Sequence, residues 1–115
     1  MSIPVNEPIA LGPIALVDGS NNVSTGISYN SSLYKSIFIE YNVVRGNARR
    51  SGKLTIITDG VTVDFDDYGI DLNTTMWGTV GVTWSMNVVS GAVVLYYSTT
   101  AIGTNGTFSY IETKW

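Results

Sequence analysis

The sequence predicts an all-β chain: an antiparallel β-sandwich, jelly-roll-like, of about seven or eight strands. Three observations predict it. Apolar residues recur with period two, and the 3.6-residue period of a helix is sustained nowhere in the 115 residues. Two turn dipeptides, Asp59-Gly60 and Ser90-Gly91, each separate two runs of alternating apolar residues. Turn-forming residues also punctuate the chain at intervals of about 8–12 positions, the spacing of a sandwich.

The elements follow in order. Pro4, Pro8 and Pro13 crowd the start of the chain. Proline has no N–H for a ladder, so residues 1–13 are expected to form an extended arm and 14–115 a single sandwich domain. PIALV (13–17) and NVSTGISY (22–29) read as short strands around the turn Asp18-Gly19-Ser20-Asn21. YKSIFIEYNVVR (34–45) is the plainest strand. Ile37, Ile39, Tyr41 and Val43 share one face, while Ser36, Phe38, Glu40, Asn42 and Val44 share the other.

A two-residue turn at Asp59-Gly60 sets Thr58 against Val61, Ile56 against Val63 and Leu54 against Phe65. The other face then pairs Thr55 with Asp64 and Lys53 with Asp66. Residues 67–78 read as the connection to a second hairpin. There, a turn at Ser90-Gly91 pairs Val88 with Val93, Met86 with Leu95, and Trp84 with Tyr97. TFSYIETKW (107–115) is the closing strand, preceded by a loop from Thr99 to Gly106.

Composition removes whole classes of function. The chain has no cysteine, so disulfides and thiolate metal sites are out. It has no histidine, which removes Ser-His-Asp and Cys-His chemistry and the commonest zinc ligand. A formal charge of -3 argues against nucleic acid as a partner. No apolar run approaches the ~20 residues of a membrane-spanning helix, so no membrane partner is expected. Charged residues make up only 13% of the chain, which suits a surface set against another protein. The four N-x-S/T sequons, at Asn22, Asn30, Asn73 and Asn105, read as turn markers.

Four groups of residues are candidates for a site. Asp64, Asp66, Asp67 and Asp71 are a candidate calcium set, although their spacing is not that of an EF-hand. The hairpin register accounts for Asp64 and Asp66 without any metal, so no cofactor is expected. Glu40 and Glu112 are a conceivable acid pair for glycoside hydrolysis, but nothing marks a cleft between them. No catalytic residue is assigned, and no enzymatic activity is expected. Arg45, Arg49 and Arg50, in RGNARRSGK, are candidate partner contacts, with Asp66, Asp67 or Asp71 of a neighbouring subunit as their counterparts. The alternative places them in a solvated connection or in lengthened strand ends. Trp77 is a candidate contact in the long loop, where its ring could also serve a sugar.

The runs ALVDGSNNVSTGISYNSSLYKSIFIEYNVVRG (15–46), GKLTIITDG (52–60), GVTWSMNVVSGAVVLYYSTT (81–100) and TFSYIETKW together resemble a β-sandwich domain of tailed-bacteriophage virion proteins. Such domains form the C-terminal part of tail fibres and receptor-binding proteins. The resemblance implies a virion surface component, usually symmetric and often trimeric. It brings no catalytic residues. Fibre domains follow a long shaft, whereas Met1 lies a dozen residues before this sandwich. The expectation is therefore a chain docked on a larger virion protein, as a capsid decoration or cement protein or a small tail appendage. Ile3, Pro4, Val5, Pro8 and Ile9 of the arm are candidate contacts there. The alternative is a module that recognises a host-surface glycan.

Overall fold

The structure is a computed structural model that describes residues 9–73 and 80–115. Eight strands follow one another: β1 (Leu11–Leu16), β2 (Val23–Asn30), β3 (Ser36–Arg45), β4 (Ala48–Thr58), β5 (Val63–Leu72), β6 (Val82–Val89), β7 (Ala92–Thr99) and β8 (Gly106–Lys114). They form two antiparallel sheets, ordered β1-β8-β3-β4-β5 and β2-β7-β6. The chain is thus the all-β sandwich that its period-two pattern predicts. Pairing of β1 with β8 and of β2 with β7 folds the start of the chain onto its end.

One face of each sheet is apolar, and the two faces close on each other. Ile37, Ile39, Tyr41 and Val43 of β3, Leu54 and Ile56 of β4, and Phe108 of β8 are buried from one side. Tyr29 of β2, Trp84 and Met86 of β6, and Val93, Leu95 and Tyr97 of β7 fill the other. Each large apolar side chain so buried contributes about 1.5–3 kcal/mol.

The Ser90-Gly91 turn forms as expected. Both residues take positive φ, 49° and 77°, as a type I′ turn requires. Val88 pairs with Val93, Met86 with Leu95 and Trp84 with Tyr97.

The Asp59-Gly60 turn does not form as expected. Residues 59–62 make a four-residue loop, and the register moves by two: Thr58 pairs with Val63, Ile56 with Phe65 and Leu54 with Asp67. The Asp59 side chain is the cause. Its Oδ1 accepts the N–H groups of Val61 (2.9 Å) and Thr62 (2.7 Å), while Thr58 Oγ1 donates to the Thr62 carbonyl at 2.6 Å. Such a side-chain-closed turn competes with the tight reversal. A shift of two keeps every residue on its predicted face but changes its partner, so Lys53 lies opposite Tyr68 and not Asp66.

Three boundaries also move. β5 continues to Leu72, so residues 67–72 are strand and not connection. β4 begins at Ala48, so the arginine cluster belongs to lengthened strand ends. β1 begins at Leu11, inside the expected arm. It lies at a sheet edge, where proline is tolerated, and its ladder slips between Leu11 and Ile14, around Pro13.

Arg45 ties one end of the sandwich together. Its side chain is fully buried, and its guanidinium is held at 2.5 Å by the Asp18 carboxylate. It also donates to the carbonyls of Thr104, Val80, Gly81 and Thr100. Asp18 accepts the N–H groups of Ile102 and Gly103 as well. The hydrogen bond from Ile102 contributes most to lowering its carboxyl pKa, with Gly103 and Arg45 adding to it against the opposing effect of burial.

Candidate functional site

The edge strand β5 has two unlike faces. Its inward positions are Val63, Phe65, Asp67, Gly69 and Asp71, all half-buried. Its outward positions are Asp64, Asp66, Tyr68, Ile70 and Leu72, all exposed. Beyond Phe65 the usual order is inverted, with acids inside and apolar side chains outside. A strand with one wet face normally does the opposite.

The inward acids are held by a closed network. Arg50 of β4 sets Nη1 at 2.7 Å from Asp71 and Nη2 at 3.2 Å from Asp67. Its Nε donates to the Tyr41 hydroxyl oxygen at 2.8 Å, and that hydroxyl donates to Asp67 at 2.6 Å. The second oxygen of Asp71 accepts the Val80 N–H at 3.1 Å. Among the described residues, every buried side-chain nitrogen and oxygen has a partner. Burial first, and the bond to Asp67 second, push the Tyr41 hydroxyl pKa up to about 12. Burial alone would lower the Arg50 pKa. Tyr41, Asp67 and Asp71 outweigh it, so the guanidinium stays charged.

Two glycines make room for this network. Gly52 and Gly69 pair across β4 and β5. A Cβ on Gly52 would stand 2.6 Å from the Tyr41 hydroxyl, and one on Gly69 would stand 2.9 Å from the Arg50 guanidinium carbon. The Tyr41 ring covers one glycine and the Arg50 head covers the other.

The outward face is what this network leaves presented to solvent. Tyr68 is 77% exposed, Ile70 73% and Leu72 61%, while Ile57 of β4, 58% exposed, stands opposite Asp64 at the far end of the same face. A shallow groove of about 420 Å³ crosses the same sheet face, from Ser109 and Ile111 of β8 past Asn42 and Ser51 to Tyr68 and Ile70. Contiguous exposed apolar side chains on a regular strand mark a contact surface.

The candidates from the sequence are distributed as follows. The four aspartates divide between two faces, Asp64 and Asp66 outward, Asp67 and Asp71 inward on Arg50. They do not assemble, and no group of three or more metal-ligating side chains occurs among the described residues. Glu40 faces outward, whereas Glu112 accepts the Tyr29 hydroxyl at 2.5 Å on the inner side, so they are not an acid pair. Burial, reinforced by Glu112, raises the Tyr29 pKa.

Arg45 and Arg50 are engaged inside their own chain, Arg45 with Asp18 and Arg50 with Asp67 and Asp71. Desolvated guanidinium groups need fixed carboxylates and carbonyls, and the fold supplies them. Arg49 is exposed on the outer face, opposite Leu72. Ile9 is exposed as well. Ile3, Pro4, Val5, Pro8 and Trp77 lie outside the described residues. The sequons do mark local structure: Asn22 and Asn73 have positive φ, and Asn30 and Asn105 accept backbone N–H groups.

Sequence reasoning missed Tyr68, Ile70, Leu72 and Ile57 as candidates. The signal was there, since residues 67–72 alternate strictly between acid or glycine and a large apolar residue.

No family model matches the chain, and no curated protein matches it. Among solved structures, the tailspike protein of Acinetobacter phage vB_ApiP_P1 is similar in fold, with a TM-score of 0.54 over 98% of this chain at 14% identity. The chain spans 24% of that tailspike's length.

Proposed function

We propose that this chain is a non-enzymatic contact module of a bacteriophage virion. It is a structural or receptor-binding part that works by docking the outer face of β4 and β5 against another molecular surface. The observation that carries this reading is the exposed stripe Tyr68, Ile70 and Leu72. Tyrosine and large aliphatic side chains are the residues that interface cores concentrate. The tailspike likeness in fold and the motif resemblance support a place on the virion. The separation of Glu40 from Glu112 and the absence of histidine and cysteine favour binding over catalysis.

The finer assignment is to a tail appendage, with a capsid decoration protein as the other position on the particle. The experiment is immunogold labelling of purified particles carrying an epitope-tagged copy. Label on the tail is the expected result, and label on the capsid shifts the assignment to decoration. A tagged protein found only in the soluble lysate overturns the virion reading.

A second reading is favoured by the groove itself. Tyr68 there lies among Asn42, Ser51 and Ser109, an aromatic ring beside polar groups, which suits a sugar. Saturable binding to a host glycan, lost in Tyr68→Ala, establishes it; no binding across envelope fractions removes it.

A further inference from the structure

We infer that the open edge of β5 takes the N-terminal arm of a second copy of this chain, with residues 3–9 added as a further strand. This edge is a separate surface from the outer face of β4 and β5, and neither role depends on the other.

β5 is the last strand of its sheet, and its ten residues pair with β4 without a slip. Successive residues of an antiparallel strand turn their backbone groups to alternate sides. The Thr58 N–H donates to the Lys35 carbonyl, so even positions of β4 face β3 and odd ones face β5. Those odd positions pair with the even positions of β5. The backbone groups of Phe65, Asp67, Gly69 and Asp71 therefore point off the open edge, and the Phe65 N–H turns to the Asp64 carboxylate at 2.8 Å. The same residues carry the inward side chains.

The arm has the matching pattern. Pro4 and Pro8 lack an N–H and share one parity, so one side of an extended arm is blunted at both. The other side, at positions 3, 5, 7 and 9, keeps every N–H. Residues directly opposite in a ladder place their side chains on the same face. Paired with the odd positions of β5, Ile3, Val5 and Ile9 go to the inner side, with Glu7 the exception in that row. Pro4 and Pro8 fall outward, beside Tyr68, Ile70 and Leu72. Backbone parity and apolar parity thus agree, and the prolines close the edge to any further strand.

The other edges fit less well. β1 slips around Pro13, and β2 slips between Ser24 and Ser28. β6 is unbroken but offers proline rings the polar Thr83, Ser85 and Asn87.

The arm cannot be the chain's own. Three strands separate β1 from β5, which sets the open edge about 24 Å from β1. Ile9 lies within about 7 Å of Leu11, so residues 3–9 cannot lie along that edge. Ile9 is 83% exposed, unclaimed by its own sandwich. Joining an arm to an edge unites unlike surfaces, so the contact fits a ring of three as well as a reciprocal pair.

The test is sedimentation equilibrium on the purified full chain, with proline moved along the arm. Wild type is expected to associate as concentration rises. Val5→Pro removes an N–H from the bonding side and is expected to weaken association about tenfold or more. Asn6→Pro removes one from the free side and is expected to stay within about twofold of wild type. Both variants should melt as wild type does at a concentration where all are monomeric. The place of contact is read by mixing Asn6→Cys chains with Tyr68→Cys, Ile70→Cys, Leu72→Cys or Ala15→Cys chains under oxidation. A mixed disulfide is expected with a β5 variant and not with Ala15→Cys of β1. A chain monomeric throughout, equal effects of the two prolines, or cross-linking that does not favour β5 over Ala15→Cys overturns the arm exchange.

Discussion

The five-stranded sheet has two edges, and they are built in opposite ways. The β1 edge is broken. Its ladder slips between Leu11 and Ile14, Pro13 withholds a donor, and Gly12 turns the backbone at φ 96° against the Phe108 carbonyl. The β5 edge is continuous: ten successive residues pair with β4 without a slip. Its inner side is fastened by Arg50, Asp67, Asp71 and Tyr41, and its outer side is apolar. Proteins blunt the edges they need to keep unpaired. By that rule β1 is blunted against further strand pairing, whereas β5 is held straight. The difference also explains why acids occupy the inner face of β5. Hydrophobic burial would fasten that strand equally well, but charged hydrogen bonds fix its register and angle more narrowly.

The comparison can be broken most severely at the inner lock. Arg50→Met leaves Asp67 and Asp71 without their counter-charge, and the expected loss is about 2–4 kcal/mol of unfolding free energy in urea. A loss under about 0.5 kcal/mol, the ordinary surface range, would show that the network does not fasten β5. At the other edge, Gly12→Ala places a Cβ 2.7 Å from the Phe108 carbonyl oxygen at a positive φ. It should cost about 1–3 kcal/mol by the same measurement. On the outer face, Ile70→Glu should stay within about 0.5 kcal/mol of wild type in the monomer, because Ile70 is largely exposed among the described residues.

The smallest effect is on pH dependence. Backbone N–H groups hold the pKa of Asp59 and of Asp18 below the ordinary value, through Thr62 and Val61 for the first and chiefly through Ile102 for the second. A pKa lower in the folded than in the unfolded chain stabilises fully above the unfolded value of about 3.9. That stabilisation fades as pH falls through the folded value. Thermal melts should therefore show a drop below about pH 4 that is shallower in Asp59→Asn. An unchanged acid slope in that variant would remove Asp59 from the account.

Much of this fold was legible because burial dictates the alternation. Ile37, Ile39, Tyr41 and Val43 announced the inner face of β3, and Ser90-Gly91 set the register of β6 and β7. The Asp59-Gly60 reversal misled for a local reason. The same aspartate that favours a tight turn also closes a longer loop with its carboxylate, and a sequence does not show which set of hydrogen bonds wins. The site was harder to read because it inverts the pattern. Asp67, Gly69 and Asp71 fell in what read as a connection, whereas in the fold they pair with β4, with Arg50 bonded to both acids and lying over Gly69. The arginines read as one cluster in the sequence, whereas Arg45 and Arg50 serve separate carboxylates within the chain.

The central claim is that the outer face of β5 is covered in the working assembly while the β1 edge is not. The absence of cysteine lets one introduced thiol report on either edge. Ile70→Cys and Ala15→Cys, both at exposed positions, would be compared for maleimide labelling in the dilute chain and in assembled particles. The account predicts that both react in the dilute chain and that assembly shields position 70 while leaving position 15 reactive. Equal reactivity of the two positions in the assembled state would contradict it.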